Sequence, residues 1–466
     1  MVAAFGIVIA LIASGHAILY KRDPRAAVLW TVVIWLLPVI GAVLYLTLGI
    51  NRIRELGLSA RMHRSNAADP NEVLAPELVD VAPRHWHGLA QLVNRVAANP
   101  LTAGNRIEML VNGDAAYPAM LAAIESATQS ISLCTYIFDN DAAGQKFVDA
   151  LGRAVARGVD VRVIVDAAGA RYSWPSIFGP LRERGVQAGK FRPVRGLSRL
   201  TTFNLRNHRK IMIVDGRLGF TGGMNIRVGN LLAQNPKRPV QDLNFRVEGP
   251  VVAHLQNAFL DDWFFVTGEE LPAAKWLPSL DPVGDVVARG IPDGPDSNYE
   301  TIRWTIQAAL ASAQKKVRIV TPYFLPDYVI LSALNMAALR DVEVDIILPS
   351  ENNLPYMHWA SRATWWQVLR HGCRVWLTPG PFDHTKIMLV DDEWALVGSA
   401  NWDTRSLRLN FELNLECYNT DLVKNLEQLA LKKLEGAHEV TLQEVDGRPL
   451  PTRFRDGIAR LFLPYL

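Results

Sequence analysis

The chain opens with two long apolar runs, residues 1–20 and 26–50, separated by the short polar segment Lys-Arg-Asp-Pro-Arg. Each run is about as long as a helix must be to cross a bilayer. Pro38 lies near the middle of the second run and should kink a helix there, which membrane helices tolerate. A cleaved signal peptide is disfavoured, because the first run lacks a basic leader and a second run follows at once. The pattern therefore predicts a two-helix transmembrane hairpin over residues 1–50.

The segment after this hairpin, residues 51–100, shows little periodicity, and we interpret it as a connector with a helix around 86–98. The basic residues on the two sides of the second apolar run nearly balance, being Lys21, Arg22 and Arg25 before it and Arg52, Arg54, Arg61 and Arg64 after it. Cytoplasmic loops carry an excess of Lys and Arg. The small excess after the run favours a cytoplasmic position for the remainder of the chain.

From residue 101 onward, strand-like and helix-like patterns alternate, and the whole series occurs twice. The matching parts are strands at Ile131–Phe138 and Val317–Phe324, helices at 143–157 and 327–340, second strands at 159–165 and 342–348, and helical segments at 174–185 and 355–371. Such alternation is typical of an α/β fold whose sheet is covered by helices. We predict two α/β/α sandwich halves, residues 101–285 and 286–466, related by a pseudo-twofold axis that brings matching parts to one cleft.

A polar motif, His-x-Lys-x4-Asp followed by a small-residue turn and an asparagine, ends each series. Its two copies are His208, Lys210, Asp215, Gly222, Gly223 and Asn225, and His384, Lys386, Asp391, Gly398, Ser399 and Asn401. Apolar residues lie between Lys and Asp, so each motif is predicted to form a β-hairpin with Asp at its turn. Residues two apart in a strand share a face, so His and Lys should project together. Asp215 and Asp391 are counted with the histidines and lysines as candidate catalytic residues, although their position at the turn makes a structural role the first one expected of them.

These residue types suit phosphate-ester chemistry. A neutral imidazole is a nucleophile that can carry phosphorus covalently, and a second, protonated imidazole can donate a proton to the leaving group. Ammonium and amide groups can hold the non-bridging oxygens, and glycine lets the backbone approach a phosphate closely. Because the lysines supply positive charge, neither a metal nor another cofactor is expected.

Composition narrows the substrate class. The formal net charge of the 466 residues is only +3, which does not favour nucleic acid as a partner. Basic residues are nevertheless concentrated between Lys190 and Lys210, where a local cationic field would suit an anionic substrate. The three cysteines, Cys134, Cys373 and Cys417, show no metal-ligand spacing and are predicted to be free thiols.

With these motifs the chain resembles the phospholipase D superfamily, whose signature is the doubled His-Lys-Asp motif, and within it the bacterial cardiolipin synthases. The resemblance covers nearly the whole chain and includes Asn204–Asn225, Asp242–Pro250, Thr321–Pro326 and Gly398–Asn414. It implies transfer of a phosphatidyl group between two phosphatidylglycerols, giving cardiolipin and glycerol, in a bacterial inner membrane and without a metal. The implied partners are phosphatidylglycerol and anionic membrane lipids, and a homo-oligomer is compatible with it.

The resemblance also assigns roles to individual residues. Family precedent favours His208 as the nucleophile and leaves His384 as the acid and base. The phosphate ligands would be Lys210, Lys386, Asn225, Asn401 and Ser399. The superfamily orients each histidine with an acid downstream of its motif, which makes Glu412 the candidate for His384 and Asp242 the candidate for His208. Gly223 departs from the serine that is usual at its position.

Other functions stay open at this point: a membrane-bound phospholipase D or another phosphatidyltransferase, a phosphodiesterase acting on nucleic acid, and an inactive lipid-binding scaffold. The near-neutral charge argues against nucleic acid, and the intact motifs argue against a scaffold. Residues 453–466 alternate between basic and apolar and could lie on anionic lipid or pack on the domain as a helix.

Overall fold

The computed structural model describes residues 2–21, 24–49, 82–191 and 205–461. Residues 51–81, which make up most of the predicted connector, lie outside this part of the chain. The N-terminal helices and the remainder of the described chain belong to two separate compact units.

The N-terminal unit contains three helices, α1 (Val2–Tyr20), α2 (Pro24–Leu36) and α3 (Pro38–Leu44), followed by a π-helical turn at Tyr45–Gly49. The helices pack through mostly small side chains, among them Ala10, Ala17 and Ala42. The second apolar run is divided before Pro38 into helices of 13 and 7 residues. Across the described residues, no helix is long and apolar enough to cross a membrane, so the predicted transmembrane hairpin is not supported.

The helix of the predicted connector, α4, and the elements of the first half follow in chain order. They are α4 (His87–Val96), β1 (Thr102–Val111), α5 (Asn112–Ser126), β2 (Ser130–Thr135), α6 (Ala142–Ala156), β3 (Asp160–Asp166), α7 (Phe178–Glu183), β4 (Gln187–Phe191), β5 (Arg206–Asn207), β6 (Ile211–Val214), β7 (Leu218–Gly222), β8 (Val240–Gln241), β9 (Leu243–Glu248), α8 (Val252–Thr267) and α9 (Ala273–Trp276). The helix expected around 86–98 is present as α4.

The second half repeats this succession with additions at its end. Its elements are β10 (Val286–Asp293), α10 (Thr301–Ser312), β11 (Lys316–Val320), β12 (Phe324–Leu325), α11 (Tyr328–Ala338), β13 (Glu343–Pro349), α12 (Pro355–Arg362), α13 (Trp366–Leu369), β14 (Arg374–Thr378), β15 (Phe382–Asp383), β16 (Ile387–Val390), β17 (Trp394–Gly398), β18 (Trp402–Asp403), β19 (Asn410–Tyr418), α14 (Thr420–Leu434), β20 (His438–Val440), α15 (Leu442–Asp446) and α16 (Leu450–Leu461).

One sheet of 16 strands runs through both halves in the order β20-β14-β13-β11-β16-β17-β19-β10-β1-β9-β7-β6-β2-β3-β4, with β5 paired to β19 off this path. The halves meet at the antiparallel pair β1–β10. Moving outward from that pair, β9 matches β19, β7 matches β17, β6 matches β16 and β2 matches β11. The predicted α/β fold with two repeated halves is therefore confirmed.

Helices cover both faces of this sheet, and alternate residues of a strand show it. Ile131 and Leu133 of β2 pack into a core that includes α5 and α6. Ser132 lies between them and accepts a hydrogen bond (3.0 Å) from the side chain of Gln256 on α8. In the second half, Arg318 of β11 likewise points away from the main core and donates to Glu427 of α14 (2.7 Å).

The two motif hairpins form as predicted, but their first strands are shorter. Asp215 and Gly216 both have positive φ (52° and 64°) at the first turn, and Asp391 has φ 53° at the second. β6 begins at Ile211 and β16 at Ile387, so the histidine and lysine of each motif precede the strand. The expectation that His and Lys alternate within the hairpin strand was wrong. In the first half, for example, the chain pairs with β19 of the other half through β5, and it joins β2 of its own half only from Ile211 onward.

Candidate active site

Two very short strand pairs connect the halves and position the histidines. Arg206–Asn207 of β5 runs parallel to Asn410–Phe411 of β19, and Val240–Gln241 of β8 runs parallel to Phe382–Asp383 of β15. The residue after each pair continues the ladder. The backbone N–H of His208 donates to Phe411 (2.8 Å), and that of His384 donates to Gln241 (2.8 Å). Each histidine is therefore fixed on the backbone of the opposite half.

This register places each histidine beside an acid of the other half. Nδ1 of His208 lies 2.9 and 3.0 Å from the two carboxylate oxygens of Glu412. Nδ1 of His384 lies 2.7 Å from Oδ2 of Asp242. The two acids are those that the sequence suggested, but the structure pairs them across the halves rather than within them. With Nδ1 engaged, Nε2 is the ring nitrogen that can act on a substrate.

The environments of the two acids differ. Glu412 is completely buried and accepts hydrogen bonds from the Ser399 hydroxyl (2.5 Å) and the Asn410 amide (3.1 Å). Asp242 accepts from the backbone N–H of Leu243 (2.8 Å), and a Cβ at Gly223 would lie only 2.4 Å from its Oδ1. Ser399, predicted to bind phosphate, thus has its hydroxyl on Glu412. The glycine at the matching position leaves room for Asp242.

The motif lysines are buried beside the histidines. Nζ of Lys210 donates to the carbonyl of His208 (2.6 Å), and Nζ of Lys386 donates to that of His384. Burial lowers the pKa of Lys210 to about 7, although the Glu412 carboxylate opposes the shift. Burial likewise lowers the pKa of Lys386 to about 8, against the effect of Asp242. An anionic phosphodiester bound between them would favour their charged forms.

Burial shifts the pKa values of both histidines and of Asp242. Burial lowers the pKa of His208 to about 4, although Glu412 opposes the shift. Burial, followed by the charges of Lys386 and Lys210, holds the pKa of His384 well below its usual value. Burial raises the pKa of Asp242 to about 7, against the effect of Lys386. The raised pKa of Asp242 favours a proton on the His384–Asp242 pair, joined by a 2.7 Å hydrogen bond, whereas the lowered pKa of His208 favours its neutral ring.

The motif asparagines are both buried, and their side chains have different hydrogen-bond partners. Oδ1 of Asn225 accepts the backbone N–H of Ile137 (3.0 Å), so its amide nitrogen is the group that can donate to a phosphate. Nδ2 of Asn401 donates to Ser406 (3.2 Å), and its Oδ1 is buried without a hydrogen-bond partner among the described residues. The two copies are thus oriented differently, although their sequence positions match.

The motif aspartates connect each hairpin to the segment that leads into a neighbouring strand, β2 in the first half and β11 in the second. The carboxylate of Asp215 accepts backbone N–H groups of Thr128, Gln129 and Ser130 at 2.7–2.9 Å. Asp391 accepts those of Gln314, Lys315 and Lys316 in the same way, at 2.7–3.1 Å. Neither carboxylate contacts a site histidine among the described contacts. Their contacts are those of the expected structural role, and a catalytic role for them stays a prediction.

Some residues near the histidines were not singled out by their chemistry. The ring of Tyr136 lies edge-on to His208 (5.1 Å between centroids), and Nζ of Lys210 lies 5.7 Å from its centre. Tyr323 lies edge-on to His384 (6.4 Å). The signal that could have found both tyrosines is their matching position near the end of the first predicted strand of each series, Ile131–Phe138 and Val317–Phe324. Arg209, a member of the basic cluster expected to attract substrate, is instead buried and forms an ion pair with Asp262 (2.6 Å), so its role is structural.

Comparisons with known proteins agree with this geometry. A family model described as "Cardiolipin synthase, PLD-like domain" matches residues 120–263 and 306–433, and one described as "Phospholipase_D-nuclease N-terminal" matches residues 8–49. A cardiolipin synthase of Geobacillus sp. (strain WCH70) is 34% identical over 96% of this chain and 90% of its own length. Cardiolipin synthase A of Pseudomonas putida is 32% identical over 98% and 95%.

Among solved structures, phosphatidylserine synthase from Haemophilus influenzae Rd KW20 has a TM-score of 0.63, with 15% identity, over 81% of this chain and all of that one. At that identity the likeness shows the fold alone. The sequence relatives, however, align over nearly the entire chain, and the family model matches one segment in each half. The chain therefore belongs to the family of cardiolipin synthases with phospholipase D-like domains.

Proposed function

We propose that this protein is a phosphatidyltransferase that converts two phosphatidylglycerols into cardiolipin and glycerol through a phosphatidyl-histidine. The observation that carries the proposal is the pair of buried histidines, each held at Nδ1 by an acid of the opposite half and each followed by a buried lysine. Relatives named cardiolipin synthase, aligned over nearly the whole chain, favour a phosphatidyl group as the one transferred.

In the first half-reaction, Nε2 of His208 attacks the phosphorus and the bond to the glycerol oxygen breaks. The departing oxygen takes a proton from the His384–Asp242 pair, and glycerol leaves. The lowered pKa of His208 and the raised pKa of Asp242 beside His384 support this order, since a nucleophile must be unprotonated and an acid must carry a proton. Lys210 and Lys386 balance the charge that develops on the non-bridging oxygens.

In the second half-reaction, the primary hydroxyl of another phosphatidylglycerol gives its proton to the His384–Asp242 pair and attacks the phosphorus. The bond from phosphorus to His208 breaks, cardiolipin leaves, and both pairs return to their starting protonation states. Water could react in the same way, so transfer requires that the lipid hydroxyl be held beside His384, where its effective concentration is high.

Membrane attachment is a further part of the proposal. Side chains of α1, including Phe5, Leu11, Ile12 and Leu19, are each more than half exposed. A contiguous apolar surface of this kind suits contact with lipid hydrocarbon. We place the N-terminal helices in the bacterial inner membrane, with the catalytic part on the cytoplasmic side that the flanking charges favour.

The decisive experiment incubates the purified full-length protein with radiolabelled phosphatidylglycerol and resolves the lipid products. We expect cardiolipin to exceed phosphatidic acid, with one glycerol released per cardiolipin. Mainly phosphatidic acid would instead identify a hydrolase. Trapping the covalent intermediate and mapping it should locate the phosphoryl group on His208, and finding it on His384 would reverse the two roles.

A further inference from the structure

The C-terminal helix α16 presents apolar side chains to the outside. Leu450, Phe454, Ile458 and Leu461 follow one another at intervals of four, four and three residues, which places them on one face of the helix. Their exposed fractions are 76%, 72%, 43% and 72%. We call these four residues the α16 stripe. The opposite side of the helix contains the buried residues Asp456 and Ala459.

The helix is held firmly on the domain by that opposite side. Asp456 is completely buried and accepts hydrogen bonds from Arg448 (2.5 Å) and Arg455 (2.7 Å). The guanidinium of Arg455 also lies over the ring of Trp359 on α12, 4.5 Å from its centre. The orientation of α16 is therefore fixed by buried contacts, and the α16 stripe is a defined surface.

Positive charge accompanies the stripe. Arg453 and Arg460 are exposed on the helix, and its single acid, Asp456, is buried and paired with arginines. An amphipathic helix with exposed Leu and Phe between arginines has the composition of helices that lie in the headgroup layer of anionic membranes. This charge pattern favours an anionic bilayer over a neutral protein surface as the occupant.

The helix also lies close to the active site. Met357 and Ala360 of α12 share one apolar cluster with Ala459 of α16 and with Tyr323 and Phe382. The rings of Tyr323 and Phe382 lie 6.4 and 5.9 Å from that of His384. Because α16 packs on α12, a membrane bound by the α16 stripe would lie near the His384 side of the active site.

We propose that α16 docks on anionic phospholipid bilayers, with the α16 stripe inserted between headgroups and the arginines on lipid phosphates. This surface would act in addition to the N-terminal helices and would keep the active site at the membrane, where both lipid substrates are concentrated. This docking rests on the proposed use of lipid substrates. The experiments are chosen so that failure of docking and failure of the proposed function give different results.

The first measurement uses the full-length protein with Phe454→Cys labelled by an environment-sensitive fluorophore. The three native cysteines are buried, so labelling should be selective. On vesicles of phosphatidylglycerol and phosphatidylcholine we expect a blue shift and quenching by lipid-borne quenchers, both weaker on phosphatidylcholine alone. The matched control is Lys424→Cys, at an exposed position of α14, and should show neither. A label at 454 that stays water-like on anionic vesicles would overturn the proposal.

The second measurement compares activity on vesicles with activity on detergent-dispersed lipid. Leu450→Ser with Phe454→Ser should lower vesicle activity roughly ten-fold, since two inserted side chains lose their apolar contact. Arg453→Gln with Arg460→Gln should lower it by up to roughly thirty-fold, because each arginine near an anionic surface contributes about five-fold, equivalent to about 1 kcal/mol. Activity in detergent and the melting temperature should not change, and equal losses in both assays would contradict docking.

The outcomes for function and for docking are distinguishable. Cardiolipin production by the wild type, with variants as active as the wild type on vesicles, would remove the docking role and leave the proposed function intact. If the label at 454 inserts into vesicles but the protein makes no cardiolipin, the docking surface stands and the proposed function fails.

Discussion

Replacing Glu412 by glutamine should slow formation of the phosphatidyl-histidine while leaving the fold intact. Attack through Nε2 turns the ring of His208 into a cation, and the Glu412 carboxylate, 2.9–3.0 Å from Nδ1, stabilises that cation. A hydrogen bond to a charged group contributes about 1.5–3 kcal/mol. At about 1.4 kcal/mol per factor of ten, its loss should reduce the rate roughly 10- to 150-fold, and the complete burial of Glu412 favours the upper end.

The assay is the rate of glycerol release in a single turnover, which reports the first half-reaction. Titration of isotopically labelled histidines by NMR supplies a second measure. Because Glu412 raises the pKa of His208 against the lowering effect of burial, Glu412→Gln should move that pKa further below about 4. Ser399→Ala is the matched control, since it removes one donor to Glu412 (2.5 Å) but leaves the carboxylate, and it should cost less than about ten-fold.

Asp242→Asn should act on the other histidine. Its effect should appear in the His384 signals and in both half-reactions, since His384 is the proposed acid and base. If Glu412→Gln left single-turnover glycerol release at the wild-type rate and shifted the signals of His384 instead, the cross-half pairing would be refuted.

Further tests address the remaining parts of the site. His208→Ala and His384→Ala should each abolish turnover with unchanged circular dichroism, and substantial activity in either would disprove a composite site. Asp215→Ala should lower the free energy of unfolding by about 1–3 kcal/mol in urea titrations, because three backbone N–H groups lose their acceptor. Burial raises the pKa of Asp215, but those N–H donors outweigh burial and keep the pKa below its usual value. The stability that the carboxylate contributes should therefore be present at neutral pH and be lost as acid protonates it. Equal loss of stability in acid by the wild type and by Asp215→Ala would contradict this. Since the pKa of Lys210 is about 7 and that of Lys386 about 8, kcat/KM should decline above neutrality, and a steady rise to pH 9 would be inconsistent. Activity should survive chelation of divalent ions, and a complete loss restored by one ion would show that the lysines do not suffice.

Much of the catalytic fold could be predicted because its signals are periodic or doubled. Strand and helix patterns with matching order in two places indicate a repeated α/β fold, and a doubled motif identifies the histidines and lysines. The boundaries 101–285 and 286–466 stay predictions, since the sheet is continuous through β1 and β10.

The partners of the histidines could not be predicted in the same way. They depend on β5 and β8, each of two residues, which carry no periodic signal and pair with strands more than 140 residues away in the sequence. Proximity along the chain then suggested the wrong partner for each acid. The hydrogen bond from Ser399 to Glu412 was also missed. It depends on where a buried carboxylate lies in the fold and not on a local sequence pattern.

The pairing of β5 with β19 and of β15 with β8 across the halves also bears on how such a protein could arise or be divided. Each half contains one histidine and one acid, but the histidine bonds to the acid of the other half. A half expressed alone would therefore contain no complete His–acid pair. Two identical halves related by a twofold axis would supply them to each other. The fold is therefore one that joining the subunits of a symmetric dimer would produce, and after joining, the acids could diverge into Asp242 and Glu412. Coexpressed halves should regain activity only together.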